Sequence, residues 1–160
     1  MEKKGLDISS YQKGINFDEI KSKVDFLILR AGFTGWGGDG TNKNKDSCFE
    51  DFYSKSKARG IPVGAYWYSC ANTYEKGKDE AEYLYNNCLK GKQFEYPIYM
   101  DVEEDRHQQV GKARIADAIK GFCEYLENKG YYVGIYANSN YFNNFIDTAK
   151  LSMYDKWLAV

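Results

Sequence analysis

Short apolar segments alternate with longer segments of helical periodicity along the 160-residue chain. The apolar segments are four to seven residues long and rich in β-branched and aromatic residues, which is typical of strands. The predicted strands are Gly5–Ser9, Phe26–Ala31, Pro62–Tyr68, Pro97–Val102, Tyr131–Ala137 and Trp157–Val160. The predicted helices lie near residues 17–23, 47–59, 74–90, 111–129 and 141–150. This order indicates repeated βα units and an α/β fold.

Two of the predicted strands are almost continuously apolar, at residues 26–29 and 97–100. Such strands are buried on both faces, as in a parallel sheet that helices cover. The pattern G-x-x-V-G-x-Y also occurs twice, at Gly60–Tyr66 and at Gly130–Tyr136. In both copies the first glycine follows a predicted helix, where it can adopt the left-handed conformation of a helix C-cap. The repeat is expected of a β/α barrel, although an open doubly wound sheet could also produce it.

Acidic residues end the fourth predicted strand. Asp101 and Glu103 are two residues apart, so both side chains project from the same face of a strand, with Cα atoms about 6.5 to 7 Å apart. In parallel β/α proteins this carboxyl end of the sheet carries the active site. Two carboxylates so close raise the pKa of one of them, which is the arrangement that glycosidic cleavage needs.

Three further residues are candidates with weaker signals. Asp7 lies inside the first predicted strand, where a charge is costly unless it faces a polar cavity or has a structural hydrogen-bond partner. The segment Gly35–Gly40 contains G-x-G-x-x-G, but no helix follows directly, so we interpret it as a rim loop with Trp36 as a sugar-stacking residue. His107 has no second histidine or cysteine in metal-ligand spacing, and we expect a loop residue beside the site.

Composition excludes several classes of protein. The net charge is -1, from 22 basic and 23 acidic residues spread along the chain, which argues against a nucleic-acid surface. No segment is apolar and long enough to span a membrane, and no signal peptide precedes the first strand, so we expect synthesis in the cytoplasm without membrane insertion. The four scattered cysteines are expected to be reduced and buried. Aromatic residues make up 17%, which suits carbohydrate binding but can equally reflect the bias of a Lys-, Asn- and Tyr-rich sequence.

Several motifs in register resemble glycoside hydrolase family 25, the phage and bacterial muramidases. The resemblance runs from about residue 4 to the end of the chain. The matching segments are Gly5-Leu6-Asp7-Ile8-Ser9 with Gln12, Ile28-Leu29-Arg30-Ala31, Lys43-Asn44-Lys45-Asp46 leading to Phe49, Gly60–Tyr66, Pro97–Glu103 and Gly134–Asn138.

The resemblance implies an irregular, TIM-like β/α barrel that hydrolyses the β-1,4 bond between N-acetylmuramic acid and N-acetylglucosamine in bacterial peptidoglycan. It implies Glu103 as general acid/base, Asp101 as the residue that polarises the N-acetyl group or the sugar carbon, and Asp7 as the residue that orients this pair. Tyr66 and Tyr136 would line the sugar subsite, with Tyr68 and Trp36 as further substrate-binding candidates. No metal or cofactor is implied. The type is that of a phage endolysin, which reaches the cell wall after release from the cytoplasm.

The C-terminus departs from the family pattern. The sequence supplies six predicted strands, whereas a closed barrel normally uses eight, so we expect residues 1–160 to be a muramidase domain that is truncated after its sixth strand. Two alternatives stay open. One is a non-catalytic peptidoglycan-binding relic of the same fold. The other is a Mg²⁺-dependent barrel enzyme in which Asp101, Glu103, Glu104 and Asp105 bind the ion.

Overall fold

The computed structural model describes residues 2–35, 42–104, 107 and 110–159. The strands of this part of the chain are β1 (Gly5–Ile8), β2 (Phe26–Thr34), β3 (Lys43–Lys45), β4 (Val63–Tyr68), β5 (Ile98–Asp101), β6 (Val133–Asn138) and β7 (Asp155–Ala159). Its α-helices are α1 (Phe17–Lys21), α2 (Phe49–Ala58), α3 (Tyr74–Leu84), α4 (Lys112–Asn128) and α5 (Ser139–Asn144). A short 3₁₀ turn covers Ser10–Gln12, and α3 continues into a π-helical turn at Tyr85–Leu89.

The described strands form one curled sheet in the order β1-β2-β4-β5-β6-β7, in which every neighbouring pair is parallel. These six strands are the six that the sequence predicts, and the sheet forms a half-barrel whose two ends are β1 and β7. The short strand β3 was not predicted; it pairs antiparallel with the end of β2. The α/β class and the parallel sheet are therefore confirmed.

Two apolar layers lie on the two faces of the sheet. The larger layer is the core between sheet and helices, to which β5 contributes Ile98 and Met100, followed by Val102. Helix α4 faces it with apolar side chains at helical spacing, among them Ile115, Ile119 and Phe122. The smaller layer lies on the concave face of the half-barrel. It consists of buried Phe26, Ile28 and Tyr99, with Tyr66, Tyr96, Tyr136 and Trp157 packed against them.

The repeated motif forms β4 and β6, the two neighbours of β5. Gly60 and Gly130 have φ angles of 69° and 91°, as expected of helix C-caps. The glycines inside the strands leave room on the concave face, because a Cβ on Gly64 would lie 2.7 Å from Ile28 Cδ1 and a Cβ on Gly134 would lie 2.6 Å from Tyr99 Cε1.

The bounds predicted for the last helix were less accurate. The helix expected near residues 141–150 is α5, which begins at Ser139, because the Asn138 side chain caps it, and ends at Asn144.

The cysteines Cys48, Cys70, Cys88 and Cys123 are buried and free, as predicted. No helix among the described residues is both long and apolar enough to cross a membrane.

Candidate active site

Strand β5 ends at Asp101 between two tyrosines. Asp101 is in register with Tyr68 on β4 and with Tyr136 on β6. It is 3% exposed, whereas Glu103 is half-buried. The two carboxyl groups are close enough for each to perturb the pKa of the other. The more exposed member of this acid pair is therefore Glu103.

Both carboxyl groups of the acid pair have a raised pKa. Burial raises the pKa of Asp101 well above its ordinary value, and the charges of Glu103 and Asp7 raise it further. Burial also raises the pKa of Glu103, although the hydrogen bond from Asp101 works in the opposite direction. Because burial is the largest cause of the raised pKa in both residues, the pair retains protons to a higher pH than exposed carboxyl groups do.

Asp7 joins the pair from β1. Its carboxylate accepts a long hydrogen bond of 3.5 Å from the Tyr136 hydroxyl, which reaches it from β6 on the far side of the concave face. Burial raises the pKa of Asp7, and its charge raises the pKa of both Asp101 and Glu103. The structure thus brings together the three acids that the sequence singled out.

A cleft of about 240 Å³ opens in front of the acid pair. Its walls are formed by Ser9, Tyr11, Arg30, Phe33, Thr34, Tyr66, Tyr68, Asp101 and Glu103. Tyr66 and Tyr68, both predicted substrate-binding residues, lie on this wall. Tyr136 is not among the lining residues; its ring stacks on Tyr66 with centroids 5.9 Å apart. Trp36 lies outside the described residues.

Sequence reasoning missed a role for Arg30, which had entered only as part of a family motif. Its Nε donates to Asp46 Oδ2 at 2.7 Å, and the Asp46 side chain is fully buried. The guanidinium carbon lies 4.8 Å from the centroid of Phe33 and 5.3 Å from that of Tyr11. A charged residue near the carboxyl end of an apolar strand is the signal that identified Asp101, and it would have identified Arg30 as well.

Two tyrosines hold the backbone and the side chain that follow β5. The Tyr141 hydroxyl donates to the carbonyl oxygens of Glu103 and Glu104, at 3.0 and 3.1 Å. The Tyr68 hydroxyl donates to Glu104 Oε2 at 2.9 Å. These bonds fix the segment that carries Glu103 next to the cleft. No local sequence pattern predicts these contacts, because the partners of Tyr141 lie 37 and 38 residues away in the chain and the partner of Tyr68 lies 36 residues away.

His107 is not the loop residue that we expected. It is helical and fully buried, and one ring nitrogen, Nε2, lies 3.0 Å from the carbonyl oxygen of Ala71. Burial lowers the pKa of His107 to about 4, so its ring is neutral at physiological pH. The described residues contain no group of three or more His, Cys, Asp or Glu side chains arranged to hold a metal ion. Asp105, one of the ligands considered for Mg²⁺, lies outside them.

Carboxyl groups and aromatic rings at the carboxyl ends of the strands of a curled parallel sheet are typical of glycoside hydrolases with a β/α fold. The chain belongs to one family of that class, since the sequence model of the glycosyl hydrolases family 25 matches residues 6–160. The chain is 31% identical over 144 residues to an autolytic lysozyme of Clostridium acetobutylicum, a match that covers 88% of this chain and 40% of that protein.

Two solved structures of similar fold cover almost the whole chain. One is the modular autolysin LytC of Streptococcus pneumoniae in complex with a synthetic peptidoglycan ligand, with a TM-score of 0.82, 21% identity, and coverage of 99% of this chain and 37% of that one. The other is the spore cortex lytic enzyme SleM of Clostridium perfringens, with a TM-score of 0.82, 20% identity, and coverage of 98% and 52%. The chain therefore spans about 40% of the length of the curated relative and between a third and about a half of these two structures.

Proposed function

We propose that residues 1–160 form the catalytic part of a muramidase, which hydrolyses the β-1,4 bond between N-acetylmuramic acid and N-acetylglucosamine in bacterial peptidoglycan at the cell wall. The observation that carries the proposal is the acid pair Asp101–Glu103 on the wall of an aromatic-lined cleft. The wider TIM-like barrel is part of the same proposal, and membership of the family supports it.

Glu103 is the general acid. It is the more exposed carboxyl group of the pair, so it can reach the leaving oxygen of a sugar bound in the cleft. Its raised pKa suits a proton donor near neutral pH.

Asp101 and Glu103 line the same cleft and are two residues apart in one segment, so both approach a bound sugar from the same side. Glycosidases that use two catalytic carboxyl groups place them on either side of the scissile bond. This favours attack by the substrate's own N-acetyl group over a covalent intermediate on Asp101.

The free oxygen of Asp101 is consistent with that role. Its Oδ1 is buried and, within the described part of the chain, has no hydrogen-bond partner. A buried acceptor without a donor is costly, and the N–H of a substrate N-acetyl group would satisfy it. Such a bond would orient the acetyl oxygen towards the sugar carbon. Asp7 favours protonation of the acid pair, since its negative charge raises the pKa of both Asp101 and Glu103.

The aromatic residues of the cleft bind the sugar rings. Tyr66 and Tyr68 line the cleft beside the acid pair, and Tyr11, 79% exposed, forms its outer edge. Burial raises the pKa of Tyr66 well above its ordinary value, so its hydroxyl remains a hydrogen-bond donor at any physiological pH. Stacking and hydroxyl donation together suit a polar ligand with flat apolar faces.

Release of dye from labelled cell walls tests the proposal. Glu103→Gln keeps the size of the side chain but cannot donate a carboxyl proton, so we expect at least a hundredfold loss of turnover, the lower end of the range for a general acid. Glu127→Gln, a substitution of an exposed glutamate on α4, is the matched control and should retain full activity. Wall binding without turnover, unchanged in Glu103→Gln, would support the non-catalytic relic instead. Turnover that is lost in chelator and restored by Mg²⁺ would support the metal-dependent alternative.

A further inference from the structure

Another buried carboxylate lies behind the cleft wall and has no part in the proposed chemistry. Glu80 on α3 is 1% exposed. Its Oε1 accepts from the Ser69 hydroxyl at 2.6 Å, and its Oε2 accepts from the Thr34 hydroxyl at 2.6 Å and from the backbone N–H of Cys70 at 3.0 Å. One side chain thus joins α3 to the ends of two neighbouring strands.

The end of β2 that Glu80 holds has an unusual geometry. Between Arg30 and Gly32 the register against β4 shifts, because one extra residue, Ala31, is accommodated on β2. Residues three apart in a regular strand point to opposite faces. The bulge allows both Arg30 and Phe33 to line the cleft, with the guanidinium over the phenyl ring.

Residues next to the Glu80 hydrogen bonds form the cleft wall. After the bulge, Phe33 is in register with Tyr68, and both line the cleft. Thr34, itself part of the wall, follows Phe33, and Ser69 follows Tyr68, so Glu80 accepts hydrogen bonds from the residue directly after Phe33 and from the residue directly after Tyr68. The Thr34 hydroxyl also accepts from Trp67 Nε1 at 3.0 Å. The segment after β4 is held on its other side as well, by the bond between His107 and the Ala71 carbonyl.

A carboxylate at this position is costly. Burial raises the pKa of Glu80 to about 7, although its three hydrogen bonds and the charge of Lys43 on β3 lower it. A buried apolar contact would join α3 to the sheet without that cost. Only a group with two acceptor oxygens can accept all three donors at once and so fix both strand ends relative to each other.

We propose that Glu80 is a positioning residue, which holds the bulged end of β2 and the segment after β4 so that Phe33 and Tyr68 form the cleft wall beside the acid pair. The inference rests on the proposed function for its effect on turnover, whereas the hydrogen-bond network itself is independent of it.

Kinetics of Glu80→Gln on soluble peptidoglycan fragments test the effect on the cleft. A glutamine has one acceptor oxygen and an NH₂ donor, so the three donors can no longer all be accepted. The cleft wall binds the sugar, and the substitution does not touch the acid pair. We therefore expect KM to rise about tenfold, an effect of the size of one lost hydrogen bond, while kcat changes less than threefold. Glu82→Gln, an exposed glutamate on the same helix, should behave as the wild type. Ser69→Ala removes a single donor and should raise KM in the same direction, which keeps the test decisive if Glu80→Gln does not fold.

The indole N–H signal of Trp67 gives a readout that does not depend on turnover. Trp67 donates to the Thr34 hydroxyl, which in turn donates to Glu80. The indole N–H signal of Trp67 should therefore shift more in Glu80→Gln and Ser69→Ala than in Glu82→Gln. The signal is assigned to Trp67 by its absence in Trp67→Phe. If the wild type cleaves nothing, the muramidase proposal fails, and the indole signal together with the affinity for the same fragments still decides the role of Glu80. An unshifted indole signal, or a folded Glu80→Gln with KM within twofold of the wild type, would overturn the inference.

Discussion

The hydroxyl of Tyr141 donates to the carbonyl oxygen of Glu103 at 3.0 Å and to that of Glu104 at 3.1 Å. Tyr141 lies on α5, and it reaches these carbonyls because Asn138 caps that helix directly at the end of β6. The proposed general acid is therefore held through its backbone by a side chain from the neighbouring βα unit.

Tyr141→Phe should lower both kcat and the free energy of unfolding. The substitution removes the donor from two carbonyls next to Glu103, and we expect a kcat several-fold lower and a free energy of unfolding lower by about 1 to 2 kcal/mol. Dye release and urea unfolding measure the two effects. Tyr132→Phe, at a tyrosine that is 77% exposed, should change neither. An unchanged kcat in folded Tyr141→Phe would show that the backbone position of Glu103 does not depend on this hydroxyl.

Asp101→Asn should make the protein more stable at neutral and higher pH. The pKa of Asp101 is higher in the folded than in the unfolded state, so its contribution to stability is complete below its unfolded pKa and is lost as the pH rises through the folded pKa. Asparagine carries no proton to lose, so the melting temperature of the variant minus that of the wild type should increase as the pH rises from 4 to 8. Each unit of pKa shift corresponds to about 1.4 kcal/mol.

Asp117→Asn, a substitution of an exposed aspartate on α4, is the matched control, and its difference in melting temperature is the baseline for that of Asp101→Asn. A difference for Asp101→Asn that stays flat from pH 4 to 8 would mean that Asp101 ionises in the folded protein as readily as in the unfolded chain.

Arg30→Met should be strongly destabilising. The Asp46 side chain is fully buried, and removal of its guanidinium partner leaves a buried carboxylate with the backbone N–H donors of Ser10 and Cys48 but without its cation. We expect a loss of about 3 to 5 kcal/mol in the free energy of unfolding, measured in urea. Arg59→Met breaks the solvent-exposed pair between Arg59 and Asp18 and should have no measurable effect. Equal effects of the two substitutions would contradict the importance of burial for the Arg30–Asp46 pair.

Gly121→Ala should weaken the packing of α3 on α4. A Cβ at Gly121 would lie 2.1 Å from the carbonyl oxygen of Tyr74, and one at Gly77 would lie 2.0 Å from that of Ala118, so the two helices approach backbone to backbone. We expect a loss of at least about 1 to 3 kcal/mol, the usual cost of overpacking. Lys120→Ala, at the preceding residue of the same helix, tests for a general effect of alanine at this site. A Gly121→Ala protein as stable as the wild type would show that α3 can move away without cost.

The sequence alone was sufficient to predict the strands of the parallel sheet and the acid pair of the site. Continuous apolar runs identified β2 and β5 because strands buried on both faces need no polar alternation. Asp101 and Glu103 were found because a two-residue spacing determines a shared face within one strand, whatever the rest of the chain does. The repeated glycine motif identified β4 and β6, and the structure adds the reason, since Gly64 and Gly134 make room for Ile28 and Tyr99.

Only the tertiary structure decided which residues from different strands meet. The contact of Asp7 with Tyr136 spans 129 residues, and the bonds from Glu80 to Thr34 and from Arg30 to Asp46 depend on how the sheet curls and where β2 bulges. The raised pKa values of the acid pair also belong to this level. The sequence places the two carboxyl groups on one face, but burial and the charge of Asp7, which come from other parts of the fold, determine how strongly the pair retains a proton.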